Sequence, residues 1–218
     1  MSRRRTAGIA LRLLVLGLLL VWTVGCTAPA EPDVVVRRNA DAEGYLGGAS
    51  LPQPYTMPDK TLTDTTGHDY NLVTSPSKPV TLTFFGYTHC PDVCIGVLSD
   101  VATALSRMPA ASRDQVQVIF VTTDPARDNG EVIERYLKRF DPSFIGLTGD
   151  LPTIKYVAER VGVDIEGKNK LPSGGYEVGH SAQVIGFDKE HRGVVRWTPS
   201  TPIGDLTKDF ELLVAKQQ

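Results

Sequence analysis

Residues 79–94 read PVTLTFFGYTHCPDVC. From Pro79 to Tyr87 the stretch is a continuous apolar, β-branched and aromatic run, the pattern of a strand buried on both faces. Pro91 suits the first position of a helix. From Val93 to about Arg107 the apolar residues Val97, Leu98, Val101, Ala104 and Leu105 then recur at helical spacing. A buried strand running straight into an amphipathic helix is the start of a layered α/β domain.

The flanking sequence extends the alternation. Gln115–Thr122 (QVQVIFVT) is a second buried strand. GEVIERYLKRF (130–140) is a helix with Val132, Ile133, Tyr136, Leu137 and Phe140 on its apolar side. A short FIGL run follows, then a helix from Pro152 to Val161. Ser181–Phe187 and Gly193–Trp197 read as strands about a DKEHRG turn, and a last helix runs from about Pro202 to Ala215. Upstream, TLTDTTGHDYNL (61–72) carries a Thr66-Gly67 turn between short extended runs, a hairpin signature. The order β-α-β-α-α-β-β-α after a hairpin predicts an α/β sandwich with a mixed central sheet flanked by helices. This is the thioredoxin arrangement with an added N-terminal hairpin and an insert before the last strands. The domain is expected over 54–218, with 171–179 (LPSGGYEVG) as a glycine-bearing loop in a mobile 163–179 segment.

Composition narrows the class. The chain has 218 residues, 41% hydrophobic and 22% charged, with a net charge of −2, so no basic field invites nucleic acid. Residues 1–25 read as a secretory signal: Arg3, Arg4 and Arg5, a mostly apolar stretch from Ile9 to Val24 interrupted by Arg12, then Gly25 before Cys26. The uninterrupted apolar part is shorter than the roughly 20 residues of a membrane span, although an uncleaved anchor is the alternative. A cysteine at this point resembles the lipobox of bacterial lipoproteins, with Thr23 where leucine is usual. That resemblance implies a diacylated Cys26 as the new N-terminus. It places the body on the outer face of the bacterial cytoplasmic membrane, held through a lipid anchor. Residues 26–53, without periodicity and with Pro29, Pro32, Pro52 and the Gly47-Gly48 pair, read as a tether that lies down on the domain near its end. Cleavage removes four arginines and no acid, leaving 19 basic against 25 acidic residues, a net −6.

With Cys26 assigned to lipid, two of the three cysteines remain, and they share one motif. Cys90 falls at or beside a helix N-terminus, where free N–H groups and the dipole favour a thiolate. Cys94 lies one turn on, with its Cβ about 5–6 Å away. The pair can close a disulfide or share a metal ion. Two inert core cysteines are the alternative, but nearby free thiols outside the cytoplasm oxidise unless something uses them.

Two thiolates leave a metal site incomplete. Among the four histidines, His89 is expected to point away from the thiols, and His68 and His191 fall in exposed turns. His180 sits between the 171–179 loop and the following strand. In the thioredoxin arrangement that position faces the cysteine helix and usually holds a cis-proline; Gly179-His180-Ser181 holds an imidazole instead. A hydrogen-bonded structural histidine is the competing reading. Two soft sulfurs with one imidazole suit copper, three-coordinate as Cu(I) or with an added oxygen as Cu(II), one ion per chain. A structural zinc site would need a fourth ligand.

Taken together, FFGYTHCPDVC (84–94), TTDPARD (122–128), FDPSFIGLTGD (140–150) and GHS (179–181) resemble the Sco/SenC family of copper chaperones for cytochrome c oxidase assembly. The resemblance covers about residues 54–215. It implies copper held by Cys90, Cys94 and His180, and delivery to the CuA centre of oxidase subunit II from a copper donor protein. It also implies, for some members, thiol reduction of that centre's cysteines through a Cys90–Cys94 disulfide. Two departures stand out: Ile95 where proline is common and Gly179 where an acidic residue is common. Asp124 and Asp128, flanking Arg127, read either as groups supporting the site or docking a partner, or as turn caps, not as catalytic residues. A metallochaperone is therefore expected rather than a turnover enzyme, with a thiol–disulfide oxidoreductase as the alternative. A peroxidase is disfavoured, since it needs a lone activated cysteine.

Overall fold

Strands β4 (Val80–Gly86) and β5 (Val116–Thr122) are buried at every residue and pair in parallel from Val80↔Val116 to Gly86↔Thr122. The computed structural model describes residues 39–172 and 174–218. The 1–25 leader and Cys26 lie outside the described residues. The other elements are β1 (Ala49–Thr56), β2 (Thr61–Asp64), β3 (Asp69–Asn71), α1 (Val93–Arg107), α2 (Ala110–Arg113), α3 (Gly130–Leu137), β6 (Ile145–Thr148) and α4 (Leu151–Arg160). They continue with β7 (Ile165–Lys170), β8 (Tyr176–His180), β9 (Val184–Phe187), β10 (Arg192–Trp197) and α5 (Ile203–Ala215). Eight strands form one mixed sheet in the order β1-β10-β9-β4-β5-β6-β2-β3, while β7 and β8 make a separate two-stranded ribbon.

Alternation along the central strands divides the core in two. Leu82, Phe84, Val118 and Phe120 face the apolar sides of α1, α3 and α5. Phe85, Ile119 and Val121 face Ile154, Val157 and Ala158 of α4. Local chemistry starts the helices where the sequence signals them. Asn129 accepts from the Val132 N–H at 3.0 Å, Asp150 accepts from Thr153 at 2.9 Å, and Pro152 stands in the first turn of α4. The architecture is the thioredoxin-like α/β sandwich expected from the element order.

Two expectations need correction. The tether read over 26–53 gives way to sheet within that range, because β1 pairs antiparallel with β10 as an edge strand, a place that accepts Pro52 and Pro54. The Gly47-Gly48 pair is a close approach rather than a spacer. A Cβ on Gly47 would lie 2.5 Å from Thr201 Cγ2, and one on Gly48 would lie 2.6 Å from Trp197 Nε1. The buried Asp209 carboxylate of α5 accepts the N–H groups of Leu46 (2.6 Å), Gly47 (3.0 Å) and Gly48 (2.7 Å) together with Trp197 Nε1–H (2.9 Å). The second correction concerns 163–179, which is largely the β7–β8 ribbon rather than a loop. Register runs from Ile165↔His180 to Lys170↔Tyr176, and Gly174 and Gly175 take φ of 88° and 84° at its tip.

Candidate metal centre

β4 ends beneath the turn that carries the first cysteine. The Cys90 N–H donates to the Tyr87 carbonyl at 3.2 Å, and α1 opens at Val93 with no side-chain cap. The Cys90 sulfur partly takes that role, since the Cys94 N–H points at Cys90 Sγ at 3.4 Å. Both cysteines are free thiols; Cys90 keeps 8% of its surface exposed and Cys94 none. A Cβ on Gly86 would stand 3.1 Å from Cys94 Sγ, so a glycine under the helix start makes room for that sulfur.

The two thiols are driven apart in acidity. The Cys94 thiol hydrogen bond holds Cys90 well below the ordinary thiol range, to about 4, against the opposing effect of burial. The His180 ring, when it carries both protons, and the backbone amides of Cys94 and Asp92 act in the same direction. Cys94 is pushed up by the same bond to Cys90 and by burial. In the reduced state Cys90 is thus the thiolate and Cys94 the thiol.

His180 ends β8 and is brought to these sulfurs. Its Nδ1 lies 3.0 Å from the Ser181 carbonyl, to which it donates, so the neutral ring presents its Nε2 lone pair, 3.7 Å from Cys94 Sγ. Phe84 and Tyr87 hold the ring edge-to-face, with centroids 6.3 and 5.9 Å away. Bonds of about 2.3 Å to sulfur and 2.0–2.1 Å to nitrogen, at 110–120°, put two ligand atoms of one metal about 3.6–3.8 Å apart. The Cys94–His180 separation fits such an edge. Among the described residues no three His, Cys, Asp or Glu side chains stand close enough together to hold a metal ion. Cys94 is the link between the other two, its sulfur 3.7 Å from His180 Nε2 and its N–H 3.4 Å from Cys90 Sγ.

His68 and His89 are exposed as expected, whereas His191 is half-buried in its turn. His89 is exposed, with Nδ1 3.1 Å from Thr88 Oγ1 and 3.7 Å from Asp128, and His68 binds Thr66 in the β2–β3 turn. His191 occupies the β9–β10 turn with φ 59°.

The loop after β5 supports both halves of the site. Asp128, fully buried, accepts from Thr88 N–H (2.9 Å), Thr88 Oγ1 (2.6 Å) and Thr122 Oγ1 (2.8 Å), fixing the turn that leads to Cys90. Asp124, also buried, pairs with Arg127 and accepts from the Tyr176 hydroxyl of β8, which lies 2.9 and 3.0 Å from its two oxygens. Sequence reasoning named both acids but left open what they do, and it missed Arg127 and Tyr176 as supports. The available signal was two acids flanking an arginine at the end of a buried strand.

The SCO1/SenC family pattern matches residues 49–215. The chain belongs to this family. A putative copper-binding protein of Stutzerimonas stutzeri is 31% identical over 182 residues, covering 82% of this chain and 85% of that protein. Mitochondrial Sco relatives are longer, and the chain spans about half of their length. Arabidopsis thaliana ScoI, solved with copper bound, is similar with a TM-score of 0.66 and 28% identity, over 76% of this chain and 98% of that one. Bradyrhizobium japonicum ScoI, also with copper bound, gives 0.62 and 31%, over 75% and 99%. In this SCO1/SenC member, no helix among the described residues is long and apolar enough to cross a membrane.

Proposed function

We propose that this chain binds one copper ion through Cys90, Cys94 and His180 and serves cytochrome c oxidase assembly by passing that ion to the CuA site of subunit II. The observation that carries the reading is His180. Its Nδ1 is committed to a backbone carbonyl, and its free Nε2 faces the Cys94 sulfur at 3.7 Å. Two sulfurs and an imidazole form a soft donor set that selects copper, and a fourth protein ligand, which zinc would want, is not part of it. Copper-bound relatives support the same reading. Loading requires the reduced dithiol and the neutral ring, since the ion replaces the protons that hold the thiolate. Val93, between the cysteines, is 42% exposed, which leaves one side of the pair open to an incoming donor or acceptor protein. Ligand exchange with that protein moves the ion without turnover chemistry. Cys26 carries the lipid that keeps the domain on the outer face of the membrane, close to an oxidase subunit.

A second reading is favoured by the contrasting acidities of the two thiols. As a thiol–disulfide reductant, Cys90 thiolate attacks a partner disulfide and releases one partner thiolate. Cys94 then passes its proton to the released thiolate, attacks the mixed disulfide and releases the other partner thiolate. The partner gains two electrons, and the chain ends with a Cys90–Cys94 disulfide. His180→Ala separates the readings. In the reduced protein lacking residues 1–25, copper titration is expected to show one ion per chain with a sulfur-to-copper charge-transfer band for Cu(II). His180→Ala is expected to weaken retention by about 10–100-fold or more while disulfide exchange continues. Unchanged copper affinity in His180→Ala would overturn the ligand assignment.

A further inference from the structure

The ribbon that carries His180 forms no ladder with the eight-stranded sheet. Its strands meet at the base through Ser181 N–H to the Asp164 carbonyl (3.0 Å) and Asp164 N–H to Ser181 Oγ (3.2 Å). These bonds close the ribbon on itself and do not fix its angle to the core. Val178 and Ile165 pack on the core, and Val178 also has a backbone hydrogen bond to the Tyr87 side chain. A second tie to the body, made of charged and polar groups, is at Tyr176. It lies four residues before His180 in the same strand, hence on the same face and about 13 Å away.

Tyr176 is gripped at three points. Its hydroxyl donates to the buried Asp124 carboxylate. Its carbonyl accepts from Arg127 Nη1 at 3.1 Å. Its ring lies under the Arg127 guanidinium, 3.7 Å from centroid to Cζ, with Lys168 Nζ of β7 also 4.3 Å from the centroid. Asp124 pairs with Arg127 and lies 3.9 Å from Lys168 Nζ, so one carboxylate gathers the tyrosine and both cations. Arg127 also reaches toward the Tyr87 ring, 5.7 Å away, which itself packs on His180.

We propose that Tyr176 and Arg127, seated on Asp124, are positioning residues for His180: a latch that sets whether the ribbon holds the imidazole against the cysteines. For copper, the inference rests on the ligand set proposed above. Closed, the latch keeps Nε2 at the sulfurs and favours retention. Open, it lets the imidazole withdraw while the two sulfurs stay in place, the geometry that hands an ion to an acceptor. Asp124 and Asp128 leave a single turn of chain toward the two halves of the site, one toward the ribbon and one toward the Cys90 turn.

Tyr176→Phe tests this, since it removes the hydroxyl and keeps the ring and carbonyl. Two readouts are taken on the reduced protein lacking residues 1–25. In the metal-free state, hydrogen exchange of the β7–β8 amides is expected to speed up by about tenfold or more, while β4 and β5 amides are unchanged. Copper affinity is expected to fall by about 10–100-fold at unchanged stoichiometry. In a His180→Ala background the same Tyr176→Phe change is expected to cost no further affinity, because the latch acts through the imidazole. Arg127→Lys, which keeps the charge but loses the planar stack and the fork, is expected to reproduce the exchange effect. Unchanged ribbon exchange in Tyr176→Phe would overturn the latch. An equal affinity loss in the presence and absence of His180 would overturn its action through that residue. If the unaltered protein bound no copper, the proposed function would fail while the exchange measurement still decided the latch.

Discussion

Replacing Asp128 by asparagine probes how firmly the Cys90 turn is held. The carboxylate is fully buried and accepts three hydrogen bonds, two at Oδ2 (Thr88 N–H and Thr122 Oγ1) and one at Oδ1 (Thr88 Oγ1). An asparagine oxygen placed at the Oδ2 position keeps the first two. Its NH₂ group, at the Oδ1 position, can donate to the Thr88 hydroxyl, which rotates to accept. The pattern survives, but three charge-assisted bonds become neutral ones. Bonds to charged groups contribute about 1.5–3 kcal/mol and neutral ones about 0.5–1.5 kcal/mol, so the expected loss is about 2–4 kcal/mol. Asp128→Ala should cost more, about 4–5 kcal/mol, because it leaves the Thr88 amide and two hydroxyls without their acceptor. At about 2–4 °C per kcal/mol for a domain of this size, asparagine lowers Tm by roughly 5–15 °C. Urea unfolding reads this directly. Trp197 is one of two tryptophans and the other, Trp22, falls within residues 1–25, so a chain without them reports from one buried indole. A loss under about 0.5 kcal/mol for Asp128→Asn, or an alanine variant no less stable than the asparagine one, would refute the reasoning.

Two further outcomes follow from the structure. Asp209→Ala leaves three backbone amides and the Trp197 indole N–H without their acceptor. It should cost about 3–5 kcal/mol and expose residues 46–50 to limited proteolysis; a parent-like digestion pattern would count against that anchor. Alkylation of Cys90 in the reduced, metal-free chain should stay near its plateau from pH 8 down to about 5. It should then fall as the pH drops toward about 4, because a lowered thiol pKa keeps the thiolate below neutrality. The stabilisation that the native hydrogen bonds to that thiolate give the fold is complete only above the ordinary thiol value of about 9, declines steadily as the pH falls below it, and is gone once the pH has passed through about 4. An inflection at pH 8–9 would show an ordinary thiol instead.

Much of the fold is legible in the chain because its signals are local. Buried strands at 79–87 and 115–122, helix starts at Asn129 and Asp150, and the Thr66-Gly67 turn each arise from residues a few positions apart. The cysteine spacing is local too, and one helical turn places Cys94 over Cys90. His180 was within reach because the strand order brings the loop before β9 to the cysteine helix. The misread stretches depend on distant partners. Residues 46–48 are ordered by Asp209, more than 160 positions away in sequence, and β1 pairs with β10. Neither contact leaves a periodic trace in 26–53. The ribbon was hidden by the glycines that make its tip.

What the amino-acid order determined alone is the α/β layering and the pairing of Cys90 with Cys94, since hydrophobic period and helix geometry act over one or two turns. What only the tertiary structure decided is which nitrogen of His180 is free, which thiol is the more acidic, and which partners Asp124, Arg127 and Tyr176 hold. These depend on desolvation and on hydrogen bonds between segments 40 to 90 residues apart, such as Cys94 with His180 and Tyr176 with Asp124, and such contacts exist only after the chain has closed on itself.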